Sequence, residues 1–328
     1  MGYLLAIDQG GTKTVALIGD EQGRIVGIGY GGGACHQDVG IEMAMAMVKQ
    51  ACDGAFAQAN ITPSDVLLVL GGLTGADWDY EYTLLRDALV ATLGIANIRV
   101  YNDCMIALRG GSDRKNAVVL CAGTAFNAAV IAQDGREVVY GFYINEEDMG
   151  GSALGKSVFF AVCNAHIGIA PPTMLTEAVL RYYGLPSVDE LLHQGITRQL
   201  GPFKLLAPLL FETLRKGDGV ARDLVERFGR SVSRYAAAGI RSLDLQDAKT
   251  DVVLSGSIFK AKDRTLQAVI AASIAESAPN AEVVDSLYEP VVGAYLMALD
   301  VQHGRTFPMR TAALLESAAA AKLLRLEQ

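Results

Sequence analysis

Two stretches of this chain, 112 residues apart, read as the same hairpin. In residues 4–18 an apolar run ends at Asp8, the chain turns through Gly10, Gly11 and Thr12, and a second β-rich run follows. Paired short apolar runs around a glycine turn form a hairpin. Residues 117–131 have the same order, and the register continues beyond them. Gly11 and Thr12 fall on Gly123 and Thr124, Ala16 on Ala128, Gly23 and Arg24 on Gly135 and Arg136, and Val26 on Val138. Self-similarity at one fixed interval constrains a fold more than a single motif does. The interval is too long for a solenoid and predicts a duplicated domain.

The composition of the turns suggests what they hold. Glycine lets backbone N–H groups approach a phosphate closely, and Thr12, Lys13 and Thr14 add hydroxyl and ammonium donors. Asp8, at the end of a buried strand, is an isolated carboxylate beside that turn. Mg²⁺ is usually held by one or two carboxylates together with waters and substrate phosphates, so the pairing is chemically sensible. The alternative for this stretch alone is a glycine hairpin with a solvated aspartate. The second Gly-Thr turn favours the first reading, because two such hairpins facing one cleft could grip a polyphosphate from both sides.

Composition narrows the classes. The chain has 328 residues, 51% hydrophobic and 20% charged, enough for about two domains with ample core. A net charge of -8 speaks against a nucleic-acid footprint, which needs clustered Lys and Arg. The five cysteines, Cys35, Cys52, Cys104, Cys121 and Cys163, are scattered without a Cys-x-x-Cys pair. They read as free thiols of a reducing compartment. The four histidines show no metal-ligand spacing. With no basic leader and no apolar run long enough to span a bilayer, a cytoplasmic location without membrane partners is expected.

In chain order, a third strand is expected over residues 24–29, and Gly31, Gly32 and Gly33 loosen the backbone after it. A helix is predicted over residues 41–60. The continuous apolar run 66–70 reads as a central parallel strand opening into the loop 71–77, which carries Thr74, Gly75 and Asp77. A helix over 80–94 and a strand over 98–101 lead to Asn102-Asp103-Cys104. Asp103 is either the N-cap of the next short helix or a general base at a strand end. Gly110 to Ser112 marks a domain boundary. Asn145, Glu146, Glu147 and Asp148 precede a glycine-rich helix start, where they bind a ligand hydroxyl or simply form a solvated loop. A long amphipathic helix spans 220–243. The strand 251–254 ends in Ser255-Gly256-Ser257, a turn small enough to admit a flat base, though such turns also cap helices. A strand over 282–285, a helix opening at Pro290 and an Ala/Leu-rich tail helix over 311–326 complete the chain.

The order and spacing of Asp8-Gln9-Gly10-Gly11-Thr12-Lys13-Thr14, Gly72-Leu73-Thr74-Gly75, Asn102-Asp103, Ala122-Gly123-Thr124, residues 206–211 through Gly217-Asp218, and Leu254-Ser255-Gly256-Ser257-Ile258-Phe259 carry a resemblance. Over nearly its whole length the chain resembles the N-acetylglucosamine kinase group of the BadF/BadG/BcrA/BcrD ATPases, relatives of actin, hexokinase and Hsp70. The resemblance implies an α/β protein of two duplicated actin-like (ribonuclease H-like) domains with a nucleotide cleft between them. These would be an N-terminal sugar and phosphate domain, residues 1–110, and a C-terminal domain with a helical insert, residues 111–304. A C-terminal helix in 305–328 would pack back on the first.

It further implies an ATP- and Mg²⁺-dependent kinase of a sugar or amino sugar, forming a homodimer. Gly10, Gly11, Thr12 and Lys13 would hold the β- and γ-phosphates, and Asp8 would hold Mg²⁺ through water. Gly123 and Thr124 would close on the phosphates, with Gly256 and Ser257 under the adenosine. Asp103 would take the proton of the attacking hydroxyl. Thr74, Gly75, Asp77, Asn102, Glu147 and Asp148 would line the sugar.

Three departures bear on the substrate. The family commonly continues the second phosphate turn as Gly-Thr-Gly-Ser-Asn, but here it runs Gly123-Thr124-Ala125-Phe126-Asn127. Cys35, beside His36, stands where a sugar-contacting Asn is expected. Residues 146–152 only approximate Gly-Asp-Glu-Gly-Ser-Gly. The nucleotide machinery is therefore expected to be mostly kept and the sugar pocket altered, with preference moved away from N-acetylglucosamine. Two other readings compete. The changed turn motivates a non-catalytic sugar or nucleotide sensor. An ATPase activator of the BadF/BcrA redox type would need paired cysteines, and Cys121 is the only cysteine in either turn.

Overall fold

The structure is a computed structural model that describes residues 2–325. Its strands are β1 (Tyr3–Gln9), β2 (Lys13–Asp20), β3 (Ile25–Gly32), β4 (Val66–Leu73), β5 (Ile98–Asn102), β6 (Ala117–Ala122), β7 (Phe126–Ile131), β8 (Glu137–Val139), β9 (Thr250–Ser255) and β10 (Ala281–Asp285). They form two five-stranded sheets, ordered β3-β2-β1-β4-β5 and β10-β9-β6-β7-β8. Read from β8, the second sheet repeats the first strand for strand. The repeat extends to backbone bonds. Asp20 N–H donates to Arg24 O (3.0 Å) and Ala132 N–H to Arg136 O (2.9 Å). Gly23 and Gly135, the turn residues between those strands, both have positive φ, 91° and 88°. The duplication read from the sequence is thus present in the fold.

In the first sheet β1 runs antiparallel to β2 and parallel to β4, and β4 parallel to β5. Alternate side chains face opposite sides. Leu4, Ala6, Leu17, Leu68 and Leu70 meet Val291, Val292, Tyr295, Leu296 and Leu299 of the helix Pro290–His303. Leu314 and Ala318 of the helix Ala312–Ala320 join the same core. Leu5, Ile7, Ile18 and Val69 meet the helices Ile41–Ala59 and Asp79–Leu93 on the other side. Contrary to a loosened backbone after Gly29, β3 continues through Gly31 and Gly32. Gly27, Gly29 and Gly31 lie on one face. A Cβ on any of them would collide with the carbonyls of Ala55, Ala51 and Met47, so the glycines let helix backbone press directly on strand backbone.

The chain divides into two compact units, Met1–Val119 with Ala129–Phe142 and Val284–Gln328, and Leu120–Ala128 with Tyr143–Val283. The helix Pro290–His303 shares the core of the first sheet. The tail helix ends at Ala320, and Leu326, the last residue of the expected tail helix, lies outside the described residues. The cysteines are free thiols. No helix among the described residues is long and apolar enough to cross a membrane.

Candidate active site

In the first unit the C-terminal ends of β1, β4 and β5 bring the carboxylates together. Asp8, 8% exposed, pairs across β1 with Val15 of β2 and Gly72 of β4. The turn beyond it is closed by Gly10 N–H donating to Lys13 O (2.9 Å) and braced by Ala34 N–H donating to Gly10 O (3.3 Å). Neither Gly10 nor Gly11 has positive φ, and beyond its own chain neighbours no protein atom lies within 4 Å of where a Cβ on Gly11 would stand. The fold does not itself require glycine at Gly11; a ligand approaching the backbone would. Lys13 Nζ lies 3.5 Å from Glu289 Oε2, at the start of the helix Pro290–His303.

Asp103 is not the helix cap. Asn102 is, its Oδ1 accepting Cys104 N–H at 2.9 Å, and Asp103 is the first residue of the helix Asp103–Arg109. The buried Asn102 amide also donates to Asp77 Oδ1 (2.8 Å) and Ala76 O (3.2 Å). Asn102 therefore orients Asp77 and the loop end. Burial, and then the nearby Asp77 charge, push the Asp103 carboxyl up to about 7, against backbone N–H groups that pull it down. Burial and the Asp103 charge push Asp8 up to about 7 as well; Lys13 opposes this and Glu289 adds to it. Asp77 is raised by burial and by Glu81, and the Asn102 hydrogen bond and His36 work the other way.

The loop after β4 is fixed by neighbours on both sides. Thr74 N–H donates to Gln9 O (2.9 Å). Gly75, with φ of 80°, lies against Cys35 Sγ and the His36 ring, so Cys35, which departs from the family pattern, borders this loop. His36 Nε2 is 3.5 Å from Glu81 Oε1. Glu81 accepts the N–H groups of Asp77 and Trp78 (both 2.9 Å) and the Gln37 amide (2.6 Å). Sequence reasoning passed over Glu81: with Trp78 at the N-cap there is no Ser, Thr, Asp or Asn to announce a capping box, and only the fold shows its carboxylate on the Asp77 and Trp78 N–H groups.

In the second unit the Gly123-Thr124 turn rests on the start of the helix Gly150–His166. Gly151 N–H donates to Gly123 O (2.8 Å), and the N–H and Oγ of Ser152 both donate to Thr124 O (3.0 Å). Gly256, φ 104°, packs its Cα against Ala122, where any side chain would collide. That contact brings Ser257 beside Gly123. A cavity of about 460 Å³ is lined by Gly123, Thr124, Lys204, Phe211, Ser257 and Ile258, among others. Phe126 is buried, its ring 5.5 Å from Tyr235. Tyr235 in turn donates to the buried Asp148 carboxylate (3.0 Å). Asp148 and the exposed Glu147 line a second cavity of about 550 Å³.

The profile of the BadF/BadG/BcrA/BcrD ATPase family matches residues 5–298. The chain belongs to this family. N-acetyl-D-glucosamine kinase of Dictyostelium discoideum is 25% identical over 314 residues, covering 90% of this chain and 97% of that protein. Glucosamine kinase GspK of Vibrio cholerae is 25% identical over 246 residues, 73% of this chain and 80% of the other. The structure of a ROK family glucokinase from Streptomyces griseus, in complex with glucose and AMPPNP, matches this BadF-family chain with a TM-score of 0.61 at 21% identity. That match covers 89% of this chain and 98% of the other, and it establishes the actin-like ATPase fold.

Proposed function

We propose that this protein is an ATP-dependent kinase that phosphorylates a hydroxyl of a sugar or amino sugar. The observation that carries the reading is Asp103: a carboxylate at a strand end, relieved of capping by Asn102 and raised to about 7 beside Asp77. A base of that strength accepts a hydroxyl proton near neutral pH. In the first unit Gly10, Gly11, Thr12 and Lys13 bind phosphate; in the second, Gly123, Thr124 and Ser257 line the cavity that takes the nucleotide. Thr74, Gly75 and Asp77 take the sugar, with Asn102 holding Asp77. The names of the Dictyostelium and Vibrio relatives support a sugar acceptor.

The donor set fits Mg²⁺. Among the described residues no group of three or more His, Cys, Asp or Glu could hold a metal by itself. Asp8 is one buried carboxylate beside a phosphate turn, which is how Mg²⁺ is usually held. Bound there, Mg²⁺ would neutralise charge on the transferring phosphoryl group. A cytoplasmic homodimer belongs to the same reading.

ADP release in a coupled assay with N-acetylglucosamine, glucosamine and glucose tests the proposal. Because Cys35 removes an amide from the sugar side, N-acetylglucosamine should be the slower substrate. Efficient and selective turnover of N-acetylglucosamine would mean that Cys35 does not set the choice, and ADP release with no sugar would point away from a kinase. Gly11→Ala tests the phosphate turn. Nothing in the protein opposes the methyl group, so Tm should hold or rise by about a degree or two. ATP should bind roughly tenfold or more weakly, as expected when charge-assisted N–H bonds to phosphate are lost. Equal affinity in the two proteins would rule out close phosphate approach at Gly11.

A further inference from the structure

We propose that Lys204 binds the terminal phosphates of ATP, supplying from outside the second phosphate turn the cation that this turn lacks. The inference rests on the kinase reading above. The first turn carries its own cation, Lys13; at the repeat interval the second has Ala125 in its place. Phe126, next in the turn, is spent on the core against Tyr235. The turn therefore offers backbone N–H groups and the Thr124 hydroxyl, and no charge.

Lys204 is held where that charge is missing. It lies in the 3₁₀ turn Phe203–Leu206. At Gly155 this turn presses on the helix Gly150–His166 so closely that a Cβ would collide with the Phe203 carbonyl, and the Phe203 and Phe159 rings pack 4.9 Å apart. The backbone of Lys204 is thereby fixed, and its Nζ reaches to 3.5 Å from Thr124 Oγ1. Among the described residues no carboxylate forms an ion pair with it, although Glu212 lines the same cavity. A lysine ammonium is a compact point charge suited to a polyphosphate. Arg215, Lys260 and Lys262 also line the cavity and add to its positive potential. A nucleoside triphosphate is the ligand that uses both its apolar wall, Phe211 and Ile258, and this charge.

Lys204→Met keeps the aliphatic stem and removes the charge. Calorimetry with Mg²⁺ and AMPPNP, ADP or AMP should show AMPPNP binding weakened roughly ten- to a hundredfold, the range of a lost hydrogen bond to a charged group. AMP should bind as to wild type, and Lys204→Arg should restore most of the AMPPNP affinity. Undiminished AMPPNP binding by Lys204→Met would overturn the assignment alone. So would an equal loss for AMP and AMPPNP, which would mark Lys204 as a prop of the cavity wall. Wild-type protein that binds no nucleotide would remove the kinase reading and this assignment together.

Discussion

Asp103→Asn should lower kcat for sugar phosphorylation roughly 10²–10⁴-fold, the usual range for removing a general base. The substitution keeps the size of the side chain and removes the proton acceptor. It leaves the helix start intact, because Asn102 supplies the cap to Cys104. The wild-type pH profile should carry the same signature. With its carboxyl raised to about 7, Asp103 is mostly protonated in mild acid, so kcat/KM should climb about tenfold per pH unit and level off above about 7. A carboxylate at its ordinary value would have levelled by about pH 5.

Stability should move the other way. A folded-state value raised above the unfolded 3.8 means that the favourable contribution is full below about pH 4 and lost as pH rises through about 7. Asp103→Asn should then melt as the wild type does at pH 4 and a few degrees higher at pH 8. A variant that keeps its rate, or melts many degrees lower at every pH, would make Asp103 a structural residue.

The parts of this protein legible in the sequence are those written in local chemistry. Gly-Thr turns and the strands around them depend on neighbours a few residues away, so the 112-residue interval survives as matched hydrogen bonds at Asp20 and Ala132. Asn102 and Asp103 show the limit. Both are good caps, and only the backbone conformation at the strand end decides which one caps. The glycines of β3 read as flexibility because the helix pressing on them is brought there by tertiary packing. Phe126 breaks a turn pattern in the sequence, yet in the fold it supports Tyr235 and through it Asp148. The helix Pro290–His303 follows the second half of the chain and packs on the first sheet, where Tyr295 donates to Asp20 O. No local signal marks that exchange. Lys204 was invisible for the same reason, since its position comes from a backbone contact at Gly155.

Asp8→Asn should separate stability from function most clearly. At the end of β1 the Asp8 carboxylate is 8% exposed and raised to about 7 by burial and then by Asp103, with Lys13 only partly offsetting them. Its favourable contribution is full below about pH 4 and lost as pH rises through about 7, so above neutrality an ionised Asp8 works against the fold. Asparagine has the same shape and no charge. Without nucleotide the variant should melt several degrees above wild type at pH 8 and level with it at pH 4. Activity should fall roughly 10²–10³-fold, the scale of losing one preorganised electrostatic contact in a site.

The decisive measurement is the shift in Tm on adding Mg²⁺ with AMPPNP. A ligand that binds only the native state raises Tm by an amount that grows with the logarithm of its affinity, and the cation relieves the charge that wild type carries at Asp8. Wild type should gain more from Mg²⁺ with AMPPNP than from AMPPNP with EDTA. The variant, with no carboxylate to meet the cation, should gain nearly the same from both. An equal Mg²⁺-dependent gain in the two proteins would place the cation elsewhere. Asp8 would then be a buried charge that the fold tolerates without using.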